Sequence, residues 1–217
     1  IPFTSVADQK EVSACLIKDL KEMGVIVQYQ EEVMEVFDEG LKIITKHSTY
    51  KCDHSFNCSG LHADEVAKKS GLDFRYSFLP FKGKYWKILD PSFKLKHLVY
   101  PVPDLQYPFL GLHTSHKKNG SFFIGPSSTP VFGRENYSGL KGLKISEFIY
   151  LLFSFTKKFL FNTNGLRTLA FREFSLILPN GVFNEAKNLV KGLNKSSFKL
   201  SNEKVGIRSQ IFDKKER

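Results

Sequence analysis

The sequence predicts an α+β protein in which a large, mainly antiparallel sheet is flanked by helices. Three observations carry that expectation. Between Leu79 and Tyr137, short aromatic or β-branched runs are each closed by Gly or Pro, the punctuation of consecutive strands. After Ile145 the apolar residues come in longer segments that read as helices. Before residue 72 the order is helix, strand, hairpin, strand, the pattern of the middle of a nucleotide-binding α/β domain.

The elements follow in order. Val12, Leu16 and Leu20 fall at i, i+4 and i+8 with charges opposite, which predicts a helix over 8–23 stopped by Gly24. Val25–Val27 and Val33–Phe37 read as strands, and Asp38-Glu39-Gly40 turns the chain into Leu41–Thr45. Tyr50–Cys58 reads as an extended arm followed by a strand ending at Asn57-Cys58. A Gly-containing turn then leads to a helix over 62–70. The sheet blocks are Pro80–Trp86, His97–Asp104, Phe109–Thr114, Phe122–Pro126 and Gly133–Tyr137. Helices are predicted over 145–161, 166–176 and 182–193, the last two separated by Pro179-Asn180-Gly181. A polar loop over 194–204 precedes a closing strand, Val205–Phe212, and a charged end.

A chain of 217 residues has ample length for a core, and 41% hydrophobic with 25% charged residues is ordinary for a globular protein. The net charge of +10 favours polyanions, acidic lipid surfaces or small anionic substrates, and also serves simple solubility. No nucleic-acid-binding motif occurs, and the basic residues are spread rather than massed, so nucleic acid is not an expected partner. Three cysteines, Cys15, Cys52 and Cys58, lack zinc-like spacing and read as buried thiols in a reducing compartment. The chain opens without Met and without a basic-then-apolar leader, which reads as a processed chain or a segment of a longer one. A cytoplasmic location is expected, with the Phe-rich 145–161 stretch as an option for peripheral contact with the inner face of a membrane.

Several chemistries lack their motif. There is no Gly-x-Gly-x-x-Gly, no phosphate-binding P-loop, no Gly-x-Ser-x-Gly and no His-Glu-x-x-His. The six histidines show no metal-ligand pairing on a helix, so no metal site is expected. Cys58 beside Ser59 has no neighbouring base and reads as a buried strand-end thiol.

What remains is a set of linked blocks in one order: Asn57-Cys58-Ser59-Gly60-Leu61-His62-Ala63-Asp64, Pro80-Phe81-Lys82-Gly83-Lys84-Tyr85, Tyr100-Pro101-Val102-Pro103-Asp104, Pro108–His113, Gly125-Pro126, Arg134-Glu135-Asn136-Tyr137 and Gly206-Ile207-Arg208-Ser209-Gln210. Together they resemble the L-2-hydroxyglutarate dehydrogenase/oxidase family, within the FAD-dependent amino-acid-oxidase-like superfamily. The resemblance implies a two-domain flavoenzyme. It covers an incomplete Rossmann-like FAD-binding portion over 1–72, a substrate-binding domain over 73–204, and a return strand toward the FAD domain over 205–217.

It also implies FAD as cofactor and oxidation of an L-2-hydroxy acid to the 2-oxo acid, a histidine base removing the hydroxyl proton. That base is expected outside this chain, so no catalytic residue is assigned. Cofactor contacts are expected at Val33, Ser59, Gly60, Gly206 and Arg208. Substrate contacts are expected from Lys82, Lys84, Tyr100, His113, Thr114 and Arg134, with Tyr100, His113 and Arg134 around one hollow. The expected partners are a small dicarboxylate and a complementing N-terminal chain that carries the dinucleotide fingerprint. Lys82 stands where the family usually has Arg, Lys84 where it has Glu, and Ser127-Ser128 where it has Asn-Ala. A lysine supplies a point charge rather than a bidentate fork.

Each candidate also has a plain structural reading. His113 reads equally as a satisfied strand histidine, Tyr100 as a packing aromatic, and Arg134-Glu135 as a surface turn. Lys82 and Lys84 alternate along a strand and share one face, which is ordinary surface charge if that face is solvent. Arg208 is favoured as functional because Gly206 permits close backbone approach. The alternative of a different class is a non-catalytic basic remnant or membrane-associated binding module.

Overall fold

A computed structural model describes residues 6–72, 76–102 and 111–213. The chain divides into two compact units, Ile1–Phe74 and Arg75–Arg217.

In the first unit, helix α1 (Gln9–Glu22) starts where the Asp8 carboxylate accepts the Lys10 N–H at 2.8 Å. Its apolar stripe forms but buries nothing, and Leu16 stays 57% exposed. Strands β1 (Val33–Phe37), β2 (Lys42–Thr45) and β3 (Thr49–Lys51) make an antiparallel sheet in that order. Two strand expectations are corrected here. Val25–Val27 joins no ladder, and Ile26 is 81% exposed. The arm to Asn57-Cys58 pairs only over β3, so Cys58 is exposed rather than a buried strand-end thiol, as is Cys15. Helix α2 (Ala63–Lys69) follows a single 3-10 turn over Gly60–His62.

The second unit is built on β4 (Tyr76–Ile88), the spine of an antiparallel sheet. With β5 (His113–His116), β6 (Phe122–Pro130) and β7 (Phe198–Asp213), the spatial order is β5-β6-β4-β7. Helices α3 (Ile145–Leu160), α4 (Leu166–Ser175) and α5 (Pro179–Leu189) lie between β6 and β7 in sequence. The α+β class therefore holds, and every strand pairing described is antiparallel.

Several boundaries differ from expectation. His97–Val102 is irregular, held to β5 by backbone and hydroxyl bonds between Val99 and Thr114 (Thr114 N–H to Val99 O, 2.9 Å; Val99 N–H to Thr114 Oγ1, 2.7 Å). Gly133–Tyr137 is a turn rather than a strand. Pro179 opens α5 instead of preceding it, because its missing N–H costs nothing at a first helical position. Phe198–Lys204, expected as loop, belongs to β7, and that strand pairs with β4 inside the second unit over 198–201 and 205–213. Pro103, Asp104, Pro108, Phe109 and Leu110 lie outside the described residues.

Two hydrophobic clusters flank the site. One joins Leu79, Phe81 and Phe212 of the sheet to Leu151 and Phe155 of α3 and Leu166 and Leu169 of α4. The other joins Trp86, Ile88, Leu112 and Ile124 to Leu176, Val182, Ala186 and Val190. Core residues of β4 are thus odd-numbered up to Phe81 and even-numbered from Trp86. A side-chain period of two permits that only if the strand is interrupted. The interruption is at Tyr85. Toward β6, Lys84 pairs with Ser127 but Trp86 with Ile124; toward β7, Lys84 pairs with Val205 but Tyr85 with Ser201. Extra residues on both neighbours make this a double bulge, one on β6 and one on β7, opposite Tyr85 of the spine.

Candidate active site

The bulge opens a hollow of about 290 Å³ between the two clusters, lined by Phe81, Gly83, Tyr85, Gly111, His113, Pro126, Ser127, Ser128, Glu173, Gly206, Ile207 and Arg208. Its floor comes from a register coincidence. Gly83 of β4 pairs with Gly206 of β7, so two adjacent positions carry no side chain. A Cβ on Gly206 would meet nothing within 4 Å, so it would project into open space. Gly125 makes the bulge possible: its φ of +149° is closed to most residues, and a Cβ there would lie 2.8 Å from the Lys84 carbonyl oxygen.

The walls carry polar groups of both signs. Burial pulls the Arg208 guanidinium down from its ordinary pKa, while Glu173 and Tyr85 act to hold it up; it keeps its charge. Burial pushes the Tyr85 phenol up, Tyr100 adding to the effect and Arg208 opposing it. Glu173 is 7% exposed, and its Oε2 accepts the Ser128 N–H at 2.5 Å. Burial pushes its carboxyl up, against the Ser128 bond and the Arg172 charge; Glu185 raises it further and Arg208 opposes. The tip of Arg172 reaches the rim, 3.9 Å from where a Cβ on Gly111 would stand. One buried acid therefore answers two guanidinium groups.

On the opposite side, the ring of Tyr100 stacks on His113 at 4.6 Å and 21°, and Tyr85 meets His113 edge-on at 6.4 Å. His113 Nδ1 lies 3.2 Å from the Gly111 carbonyl oxygen. A carbonyl only accepts, so Nδ1 carries a proton.

Of the expected substrate residues, His113 lines the hollow and Tyr100 stacks on it. The others stand elsewhere. Lys82 and Lys84 alternate with the lining residues Phe81, Gly83 and Tyr85, so the period of the strand turns them away. Lys82 is buried and donates to Asn136 Oδ1 at 3.3 Å; burial first, and the Lys84 charge second, lower its pKa. Thr114 is buried against Val99. Arg134 is buried too, with its Nε 3.4 Å from Glu147 Oε1 and its backbone N–H on the same oxygen at 3.2 Å. It anchors the Gly133–Tyr137 turn to α3 and is not among the lining residues.

Of the expected cofactor residues, Gly206 and Arg208 line the hollow, whereas Val33, Ser59 and Gly60 belong to the first unit. There the Val33 carbonyl accepts from Lys69 Nζ at 2.6 Å, the Ser59 hydroxyl donates to Asn57 Oδ1 at 2.6 Å, and Gly60 takes φ +56° at the turn before α2. These residues do not by themselves fit a dinucleotide. Helix α2 is only 7 residues long and follows no Gly-rich turn, and the hollow matches the low end of small-molecule sites, ~300–1,000 Å³. A shallow depression along α1, lined by Ala14, Ile17, Lys18, Lys21 and Glu22, belongs to a single helix and gathers no such set of groups.

Sequence reasoning missed Tyr85, Arg172 and Glu173. The signal for Glu173 is its place on α4: it continues the buried stripe of Leu166 and Leu169 at i+7 and i+4, where a carboxylate is out of character. Among the described residues no helix is long and apolar enough to cross a membrane, and no group of three or more His, Cys, Asp or Glu could hold a metal ion.

Comparison with known proteins gives this geometry a context. The mitochondrial L-2-hydroxyglutarate dehydrogenase of Bos taurus is 32% identical over 152 residues, covering 63% of this chain and 33% of that protein. The human mitochondrial L-2-hydroxyglutarate dehydrogenase is 30% identical over 152 residues with the same shares, and that of Escherichia coli strain K12 is 31% identical over 141 residues. The chain spans about a third of the length of these curated relatives. Among solved structures, glycine oxidase from Bacillus cereus ATCC 14579 superposes with a TM-score of 0.52 at 14% identity, covering 93% of this chain and 43% of that one, a likeness of fold. Residues 2–159 match the family profile described as FAD dependent oxidoreductase, which takes in β4, β5, β6 and the lining residues from Phe81 to Ser128, but not Glu173, Gly206, Ile207 or Arg208. On that match the chain belongs to the FAD dependent oxidoreductase (DAO) family.

Proposed function

We propose that this chain supplies the substrate-recognition part of an FAD-dependent oxidoreductase that converts an L-2-hydroxy acid to its 2-oxo acid, with L-2-hydroxyglutarate as the favoured substrate. The observation that carries the reading is the pairing of Arg208 in the wall with a side-chain-free floor at Gly83 and Gly206. A guanidinium forks onto a carboxylate, and the glycines leave room for a short carbon chain beside it. Arg172 at the rim offers a second cation for the far carboxylate of a dicarboxylate. His113, its Nδ1 held by Gly111, lines the hollow beside the space the acid would occupy. The names of the relatives support the choice of substrate.

Oxidation at C2 removes two electrons and two protons, and bound FAD would supply that redox chemistry. The residues described here bind, orient and screen the acid. In this reading the dinucleotide is gripped by a complementing segment that carries the Gly-rich fingerprint.

The test combines the purified chain, FAD and a polypeptide bearing that fingerprint, without oxygen. Adding L-2-hydroxyglutarate should bleach the visible flavin absorption and yield 2-oxoglutarate, while the D enantiomer leaves the colour unchanged. Flavin retained by the mixture but unbleached by the L acid would overturn the substrate assignment.

A further inference from the structure

Among the described lining residues of the hollow, Glu173 is the only carboxylate and Arg208 the only guanidinium. With both ionised, the pair carries no net charge. A carboxylate arriving at Arg208 would then leave one buried negative charge uncompensated, which is costly away from water. Glu173 cannot swing out of the way. It is 7% exposed, it sits in the buried stripe of α4 with Leu166 and Leu169, and its Oε2 accepts the Ser128 N–H.

The charges that face it come from several elements. Strand β6, which provides Ser128, carries no charged residue. Glu185 of α5 adds negative charge, and Arg172 of α4 adds positive charge from the rim. From β4 comes Tyr85, whose phenol burial keeps protonated. Helix α3 turns its charges elsewhere: Glu147 to Arg134, Lys158 to the ring of Phe212, and Lys157 to solvent. His113 stands on the opposite side, with Nδ1 on the Gly111 carbonyl. Burial outweighs the Ser128 bond and the two arginines, so the Glu173 carboxyl holds its proton more tightly than an ordinary one.

We propose that Glu173 takes up a proton when a carboxylate binds Arg208, so that the hollow exchanges its own acid for that of the ligand. The inference rests on the hollow being the acid-binding site, as proposed above. The charges balance. The ligand carboxylate brings one negative charge, a proton from solvent goes onto Glu173 Oε1, and Oε2 keeps the Ser128 N–H. The new O–H donates to the bound carboxylate, which an ionised Glu173 would repel. Arg208 trades one carboxylate for another and is never left without a counter-charge.

Calorimetric titration of the whole chain with L-2-hydroxyglutarate from about pH 6 to 9 tests this, because both ligand carboxyls are ionised throughout. Repeated in buffers of different ionisation enthalpy, it should show uptake approaching one proton per ligand toward the alkaline end. Affinity should fall over the same range by up to about tenfold per pH unit. Glu173→Gln, whose amide keeps an acceptor for Ser128 and a donor for the ligand, should abolish the uptake and flatten the pH profile. His113→Asn should keep the uptake. Binding of the acid by the wild-type chain without proton uptake would overturn the proposal and leave the acid site standing. So would uptake that survives Glu173→Gln and is lost in His113→Asn. No binding of the acid at any pH would overturn that site and the proposal together.

Discussion

The carboxylate of Glu173 accepts the backbone N–H of Ser128 at 2.5 Å, tying α4 to β6 inside the hollow. Burial makes that bond costly to lose and the ionised carboxyl costly to keep. Because the folded pKa is raised above its unfolded value, the folded state holds the proton more tightly. Stability from this group is therefore full below the unfolded carboxyl range and declines as pH rises through the raised folded pKa. Glu173→Gln should flatten that decline while its amide oxygen still accepts from Ser128. Glu173→Ala leaves the N–H unsatisfied and should cost about 1–3 kcal/mol. Urea denaturation across pH checks both; equal pH slopes for wild type and Glu173→Gln would refute the assignment.

Gly206 permits an addition that fills the hollow at no cost to the fold. Gly206→Val places its side chain in open space on a strand that favours β-branched residues. Ligand affinity should fall at least tenfold while stability stays within about 0.5 kcal/mol. Thermal unfolding and calorimetry measured together separate this from simple misfolding.

Gly125 is the opposite case. Gly125→Ala meets the Lys84 carbonyl oxygen at 2.8 Å and keeps a φ of +149°. It should cost about 1–3 kcal/mol in backbone strain alone and weaken the Tyr85 bulge. An unchanged melting temperature would mean that the bulge does not need this glycine.

Lys82 separates the structural account from the family pattern. Lys82→Met should leave carboxylate affinity within about twofold, because Lys82 faces Asn136 rather than the hollow. Its lowered pKa means that wild-type stability rises as pH climbs from neutrality toward the ordinary lysine value. The variant should lose that rise, which denaturation at neutral and alkaline pH would show.

The antiparallel sheet was legible because apolar alternation and Gly/Pro closures are local signals, visible in Tyr76–Ile88 and Phe122–Pro130. The helices were legible for the same reason, apart from the Pro179 start. The facing of residues within β4 was not. It switches at Tyr85 through pairing with Ser127, Ile124, Val205 and Ser201, which are distant in sequence. Before the bulge, Lys82 and Phe81 exchange sides if the strand is read one residue out of phase. Lys82 and Lys84 entered the expected site through the family resemblance, and alternation along the strand left open which face they take. Arg134 was ambiguous because its partner, Glu147, sits on the next helix. His113, Gly206 and Arg208 converge in space through strand order, which family order could suggest and spacing could not.

The most direct test of the central claim is calorimetric titration of the whole chain with L-2-hydroxyglutarate, comparing wild type with Arg208→Lys. The loss of the bidentate fork should weaken binding at least tenfold, about 1.4 kcal/mol. Equal affinity in the two proteins would contradict the assignment of Arg208 as the carboxylate anchor.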